Sequence, residues 1–164
     1  MSDQKRNLKA HPPRVPMPER DADERVRGFA EVPLGYTEAQ ARAEAERCLD
    51  CKNPKCVSGC PVNIDIPKFL REVRDGRYQD AADTLRTTNS LPAVCGRVCP
   101  QEEQCESLCI EGIRHDPVAI GNLERFVADW ERMHKQVTTQ TEIAQTGRRI
   151  AIAGSGPAGL TVAG

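Results

Sequence analysis

The spacing of apolar and polar residues from residue 37 onward predicts a series of short helices. Thr37 followed by Gln40 has the pattern of a capping box, in which each side chain bonds the backbone N–H of the other residue. The alanine- and glutamate-rich run from Glu38 to Arg47 strongly favours a helix. This predicted helix leads directly to Cys48.

A helical hairpin is predicted between residues 65 and 89. Asp65 can cap a helix that is entered through Pro67, and Asp75 with Gly76 ends it. A second short amphipathic helix follows and closes near Asn89, so the chain returns toward its starting point. The apolar positions that indicate these two helices are Ile66, Phe69, Leu70 and Val73, then Tyr78, Ala81, Ala82 and Leu85.

The pattern changes on both sides of this region. Five prolines and many charges over residues 1–36 predict an extended arm, which is either a disordered tail or a strap around a neighbouring domain. Residues 120–134 predict a longer amphipathic helix with a stripe formed by Ile120, Leu123, Val127, Trp130 and Met133. Beyond a polar linker, the apolar run at residues 150–153 (IAIA) is typical of a buried parallel strand.

We therefore predict a mainly α protein with four parts. They are an extended arm (1–36), a helical domain (37–135), a linker (136–147) and the truncated start of an α/β dinucleotide-binding domain (148–164).

The amino-acid composition limits the classes of function that the chain can have. Aromatic residues make up 4% of the 164 residues and charged residues 29%, so a large apolar core is not expected. A net charge of -1 gives no indication of nucleic acid binding, and the residue pattern predicts neither a signal peptide nor a membrane span. We expect a cytoplasmic protein, where disulfides are rare. The 8 cysteines then indicate metal.

The cysteines fall into two groups. Cys48, Cys51, Cys56 and Cys60 are separated by two, four and three residues, and Cys95, Cys99, Cys105 and Cys109 by three, five and three. Proline follows Cys60 and Cys99, and in two-cluster bacterial ferredoxins the cysteine before proline binds the other cluster. The pattern therefore predicts two iron–sulfur clusters with crossed ligation, each taking three cysteines from one group and one from the other. Disulfides, two structural zinc sites and unliganded thiols are the alternatives; zinc ribbons usually pair two C-x-x-C knuckles, and only Cys48 and Cys51 have that spacing.

A glycine-rich turn follows the predicted strand. Gly154, Gly156 and Gly159 form G-x-G-x-x-G, in which the glycines allow a tight turn, close approach to a pyrophosphate and close helix–strand packing. An ordinary glycine-rich turn is the alternative. The sequence ends at Gly164, before the acidic residue that would bind the ribose. We expect the front piece of a longer flavoprotein, and no dinucleotide binding by residues 148–164 alone.

Six segments of the sequence have a recognisable pattern: 16–20 (PMPER), 35–39 (GYTEA), 47–51 (RCLDC), 59–67 (GCPVNIDIP), 91–102 (LPAVCGRVCPQE) and 120–126 (IGNLERF). Together they resemble the N-terminal region of the NADPH-dependent glutamate synthase small subunit family. The same region is similar to the large subunit of electron-bifurcating NADH-dependent ferredoxin:NADP oxidoreductase and to the N-terminal domain of dihydropyrimidine dehydrogenase.

The resemblance implies an α-helical ferredoxin domain with two [4Fe-4S] clusters, followed in the full-length parent by FAD and NADPH domains. It implies that the first cluster binds Cys48, Cys51, Cys56 and Cys109, and the second Cys60, Cys99, Cys105 and Glu124. From the residues alone, Cys95 competes with Glu124, because thiolate is the softer ligand and a glutamate beside an apolar stripe is usually a solvated flank residue. The resemblance favours Glu124. His115 and His134 are interpreted as surface residues, and Trp130 as core packing.

In this family, NADPH reduces FAD by hydride transfer and single electrons then pass into the clusters. The implied partners are the downstream FAD and NADPH domains and a large glutamate synthase subunit or another electron-transfer subunit. The resemblance implies that the chain itself carries electrons, and it is not expected to be catalytic alone. The same module in a bifurcating oxidoreductase and a zinc-stabilised interaction module are the alternatives.

Overall fold

A computed structural model describes residues 11–134 and 146–163 of the chain. The described residues are mainly helical and contain one isolated antiparallel bridge, between Glu19 and Pro33. The helices are α1 (Ala22–Arg25), α2 (Glu38–Ala45), α3 (Lys55–Gly59), α4 (Ile66–Arg74), α5 (Tyr78–Arg86), α6 (Pro92–Val98), a 3₁₀ turn (Ile110–Ile113), α7 (Ile120–His134) and α8 (Pro157–Ala163).

The start of α2 and the start and end of α4 follow from local chemistry, as predicted. Thr37 and Gln40 form a reciprocal capping box, and Asp65 accepts a hydrogen bond from the Lys68 N–H. The chain leaves α4 through Gly76 at φ +76°, a left-handed conformation that glycine adopts without a steric penalty. The predicted hairpin is present, because α5 begins at Tyr78 and packs against α4.

The core lies where α2, α4, α5 and α7 pack together. α7 covers residues 120–134 as predicted, and most of its apolar stripe is buried. Met133 departs from the prediction, since 71% of its surface is exposed at the last turn of the helix. Trp130 is partly buried against the core and stacks on His134, with ring centroids 4.3 Å apart. The largest fully buried apolar side chains are Phe69, Ile66, Leu70, Leu85, Leu123, Val73, Val118 and Val127.

The described part of the arm, residues 11–36, lies along the helical domain of its own chain. The Tyr36 hydroxyl donates a hydrogen bond to the Val15 carbonyl oxygen at 2.5 Å, and the Val15 N–H donates to Glu44 Oε2 at 2.7 Å. Arg47 donates to the Pro12 carbonyl oxygen at 3.1 Å. These contacts are with the chain's own helical domain.

The Glu44 and Arg47 side chains form a buried polar centre that joins three segments. Both side chains have no exposed surface, and Arg47 Nη1 lies 2.6 Å from Glu44 Oε1. Arg47 also donates to the carbonyl oxygens of Asp116 and Pro117, and Glu44 accepts from the Ala119 N–H. The pair satisfies backbone groups of the arm and of the segment before α7, which is how a buried charge pair becomes tolerable.

The segment 146–163 corrects one sequence prediction. Residues 150–153 form no strand within the described chain, and Ile150 is 84% exposed rather than buried. A strand needs a partner for its backbone N–H and C=O groups, and the described residues offer none here. The turn has Gly154 at φ +101°, and a Cβ at Gly159 would overlap the Gly154 carbonyl oxygen. The proposed role of these glycines stays a prediction.

Part of the predicted linker, residues 136–145, lies outside the described residues. Across the residues that are described, every helix falls short of the length and apolar character that a bilayer crossing requires.

Replacing Gly96 with alanine should destabilise the contact between α6 and α7. A Cβ at Gly96 would lie 2.6 Å from the backbone nitrogen of Arg125 and 2.7 Å from the Arg125 Cα. The α7 backbone cannot rotate away as a side chain can. We expect Gly96→Ala to lower the free energy of unfolding by about 1–3 kcal/mol, the usual cost of overpacking. Urea unfolding of anaerobically purified protein measures this.

Gly28→Ala is the matched control, because nothing lies within 4 Å of a Cβ at that position. Equal stability of the two variants would contradict the close approach of α6 to α7.

Candidate metal centres

Short helices present the first cysteine group. Cys48 follows α2, and its N–H donates to the Ala45 carbonyl oxygen at 3.1 Å. The loop then passes through Asp50 at φ +49° before Cys51. Cys56 lies in α3, and Cys60 is the residue that ends this helix. All eight cysteines lie in the described ranges, and none forms a disulfide.

Cys109 lies with Cys48, Cys51 and Cys56, although it belongs to the second group in sequence. Burial raises the pKa of the Cys56 thiol to about 12, and repulsion from Cys109, Cys48 and Cys51 adds to the increase. Burial also raises the pKa of Cys48, with further contributions from Cys109 and Cys51. The four residues line one cavity, whose walls are otherwise mostly apolar. The apolar residues of this wall include Ile66, Leu70, Leu108, Val118 and Ile120.

The second centre brings Cys60 to the second cysteine group. Burial raises the pKa of Cys105 to about 12, with repulsion from Glu106, Cys60 and Glu124 added. Burial raises the pKa of Cys99 to about 11, with contributions from Cys95, Glu124 and Cys60. The structure therefore gathers Cys60, Cys95, Cys99, Cys105 and Glu124 into one neighbourhood.

The donor chemistry of both neighbourhoods fits iron–sulfur clusters. Thiolates are soft ligands that suit iron–sulfur clusters and zinc. Metal binds the thiolate and not the thiol, so the raised pKa values show that the protein atoms alone do not stabilise the ligand form. A cationic metal core among these sulfur atoms would offset both the burial and the mutual repulsion that raise the pKa values.

Glu124 is buried, contrary to what its flanking position suggests. Only 6% of its surface is exposed, and burial raises the pKa of its carboxyl to about 7, partly offset by a hydrogen bond from Asn89. Asn89 Nδ2 donates to Glu124 Oε1 at 2.7 Å, while the Cys95 thiol donates to Asn89 Oδ1 over 3.6 Å. After burial, which is the largest cause, Glu124 contributes to the raised pKa of both Cys99 and Cys105, and Cys95 contributes to that of Cys99.

Several residues that position the thiols carried no clear signal in the sequence. A Cβ at Gly59 would lie 2.8 Å from the Gln104 carbonyl oxygen, so glycine lets the chain before Cys105 approach Cys60. Gln101 Nε2 donates to the Cys95 carbonyl oxygen at 3.0 Å, and a Cβ at Gly121 would overlap the Gln101 side chain. Gly59 lies within the first cysteine group and Gly121 lies in α7, outside both groups, so the cysteine spacing does not indicate both close approaches.

The two histidines interpreted as surface residues lie outside both thiol neighbourhoods. His115 has a half-exposed side chain and stacks on His11, with ring centroids 4.9 Å apart. His134 Nδ1 bonds the carbonyl oxygen of Trp130 at 2.8 Å.

Comparison with known proteins assigns the class that this geometry fits. Residues 25–136 match the family described as dihydropyrimidine dehydrogenase domain II, 4Fe-4S cluster. The chain belongs to this family, and it is a 4Fe-4S electron-transfer module.

Individual relatives of the chain have more specific names than the family. The chain is 41% identical over 152 residues to the glutamate synthase [NADPH] small chain of Escherichia coli K12, which covers 93% of this chain and 31% of the relative. It is 37% identical over 145 residues to the protein of the same name from Azospirillum brasilense, covering 88% and 30%. It is also 41% identical over 134 residues to the E. coli K12 NAD-dependent dihydropyrimidine dehydrogenase subunit PreT, covering 79% and 31%. The chain thus spans less than a third of the length of these curated relatives.

Replacing Gly59 with alanine should reduce the iron and sulfide that the chain retains. The added methyl group would meet the Gln104 carbonyl oxygen at 2.8 Å and Leu108 Cδ1 at 3.0 Å, so the segment that carries Cys105 must move away from Cys60. Iron and acid-labile sulfide analysis of anaerobically purified protein measures the loss.

Gly112→Ala is the control, because its added methyl group would first meet Pro117 Cβ at an ordinary 3.4 Å. The proposed role of Gly59 is wrong if both variants retain the same iron as the parent chain.

Proposed function

We propose that this chain holds two [4Fe-4S] clusters and carries electrons between a flavin and a partner subunit in an NADPH-dependent, FAD-containing oxidoreductase of the glutamate synthase type. The observation that carries the proposal is the grouping of the thiols. Eight cysteines from two separated segments form two neighbourhoods, and each neighbourhood draws on both segments.

The proposed ligands follow this grouping. Cys48, Cys51 and Cys56 with Cys109 would hold the first cluster, and Cys60 with Cys99, Cys105 and Glu124 the second. Repulsion from Cys109 contributes to the raised pKa of Cys56, and repulsion from Cys60 contributes to those of Cys99 and Cys105. These contributions support the crossed arrangement. Crossing lets each cluster join segments that are distant in sequence, which helps a small helical domain to remain folded.

Glu124 is the proposed eighth ligand. Its carboxylate is buried, and it contributes to the raised pKa of two of the three proposed thiol ligands, Cys99 and Cys105. Asn89 orients it through a 2.7 Å hydrogen bond. Cys95 is accounted for differently, as a small side chain whose thiol bonds Asn89 and so supports the orientation of Glu124. An outer hydrogen bond of this kind commonly orients a metal ligand.

The protein around the proposed clusters has two tasks. When bound, a [4Fe-4S] cluster accepts and releases single electrons at a potential set by burial, net charge and hydrogen bonds to sulfur. The apolar wall formed by Ile66, Leu70 and Val118 restricts water at the first centre. The Asp50 backbone N–H bonds the Cys48 sulfur and would stabilise its thiolate form.

FAD, NADPH and the partner subunits belong to the proposed full-length parent. The names of two relatives carry NADPH and the words small chain, and that of a third carries NAD and the word subunit. Gly154, Gly156 and Gly159 would contribute the first phosphate-binding turn of the FAD domain. We propose that catalysis needs that parent, and that this chain alone conducts electrons in a reducing compartment such as the cytoplasm.

Iron analysis tests the proposal directly. Anaerobically purified or reconstituted chain should contain about eight irons and about eight acid-labile sulfides, as two [4Fe-4S] clusters require. It should be brown, and reduction with dithionite should bleach it and give a paramagnetic resonance signal. A colourless protein that contains zinc and no iron would contradict the proposal and favour the zinc-stabilised interaction module.

A pair of substitutions tests the eighth ligand. Cys95→Ala should leave about eight irons per chain, whereas Glu124→Ala should lose iron and sulfide from the second cluster, up to about four of each. Glu131→Ala is a suitable control for Glu124, because Glu131 is another buried glutamate of α7 and forms an ion pair with Arg86 of α5. Loss of one cluster in Cys95→Ala, with full iron in Glu124→Ala, would reverse the assignment.

A further inference from the structure

A second kind of ligand cluster lies where the arm meets the loop after Cys109. His11, Glu111 and His115 each present one ligand atom, and these three atoms lie within 4.8 Å of one another. His11 Nε2 is 3.3 Å and His115 Nε2 is 3.9 Å from the same oxygen, Glu111 Oε1. Nitrogen and oxygen ligands about 2.0–2.2 Å from a tetrahedral ion lie about 3.3–3.6 Å apart, so small side-chain shifts would complete the site.

The Glu111 carboxylate is buried and incompletely bonded. Only 5% of the residue is exposed, and Oε1 accepts no hydrogen bond within the described residues. A buried carboxylate oxygen without a donor is costly, because it has lost water and gained no equivalent partner. Both imidazole rings approach this oxygen, yet neither has the geometry of a hydrogen bond to it.

The other ring nitrogen of His11 explains its orientation. Nδ1 lies 3.1 Å from the Pro12 carbonyl oxygen, which can only accept a hydrogen bond. Nδ1 therefore carries the proton in the neutral ring, which leaves a lone pair on Nε2, the atom that lies 3.3 Å from Glu111 Oε1. A backbone carbonyl on one nitrogen and a free lone pair on the other is the usual arrangement of a metal-binding histidine.

From these observations we propose that His11, Glu111 and His115 bind a divalent transition-metal ion of the zinc class. Two imidazoles and one carboxylate are ligands that zinc accepts, and a water molecule can take the fourth position. The cavity beside them also contains Arg114, whose positive charge disfavours a hard cation held by charge alone. Coordination by imidazole nitrogen favours zinc, copper, iron or nickel over calcium or magnesium.

The ion would fasten the arm to the loop that follows Cys109. His11 belongs to the arm, whereas Glu111 and His115 lie in and just after the 3₁₀ turn Ile110–Ile113. The other contacts of this part of the arm include the ion pair between Arg14 and Glu106 and the hydrogen bond from Arg47 to the Pro12 carbonyl oxygen. A metal bridge at His11 would add a contact near the end of the described arm.

Zinc binding by the iron-loaded chain tests this site separately from the cluster proposal. Anaerobic protein with its iron in place is dialysed against Zn²⁺, and zinc and iron are measured together. We expect one zinc per chain in addition to unchanged iron. X-ray absorption at the zinc edge should show nitrogen and oxygen ligands at about 2.0–2.1 Å, and no sulfur at about 2.3 Å.

Variants identify the ligands. His11→Ala and His115→Ala should each weaken zinc binding at least about tenfold, since even the loss of an outer partner costs that much. Glu111→Gln keeps the side-chain size and removes the anionic ligand, and it should weaken binding similarly. His134→Ala is the matched control, because this exposed histidine lies on α7 and should leave zinc affinity unchanged.

Zinc bound through sulfur, or zinc affinity that is the same in His11→Ala and the parent chain, would overturn the proposal. Neither result would affect the iron assignment, because iron and sulfide are measured in the same samples.

Discussion

Crowding of thiols in a partly buried space is the constraint on which the rest of the structure depends. Cys56 and Cys105 have pKa values raised to about 12 by burial and by neighbouring acidic groups. Such a grouping is unfavourable for thiolates unless positive charge lies among them, and it is the arrangement that a thiolate-bound cluster needs. The family match to a 4Fe-4S domain is consistent with this requirement. Helix α3, the loop through Asp50 and the close contact at Gly59 help to bring these sulfur atoms together.

Buried polar contacts complement the small apolar core. Glu44 and Arg47 bond both the arm and the segment before α7, and Asn89 holds Glu124 near Cys99 and Cys105. Polar groups at these positions specify one arrangement, because each must find its partner when it leaves water. The domain is thus built around a few directional contacts as well as around apolar packing, as its low aromatic content requires.

The described part of the arm connects helix α2 with the loop that carries residues of the proposed metal sites. Tyr36 and Val15 fix its course over α2, and His11 then reaches the loop that follows Cys109. One end of that loop carries a proposed cluster ligand and the other carries His115. Any group that bridges His11 to the loop would therefore act on the same segment that completes the first thiol neighbourhood.

The sequence by itself determined the features that depend on neighbouring residues. The capping box at Thr37, the cap at Asp65, the left-handed turn at Gly76 and the limits of α7 were predictable, because each rests on hydrogen bonds or apolar spacing within a few residues. Cysteine spacing likewise indicated metal chemistry, and the family resemblance supplied the ligand sets. Tertiary structure decided which side chains share a space: Cys109 beside Cys56, the burial of Glu124, the close approaches at Gly59 and Gly96, and the meeting of His11 with Glu111. It also decided that residues 150–153 are exposed. The reason is that burial and proximity arise from contacts between segments far apart in the chain, which no local pattern encodes.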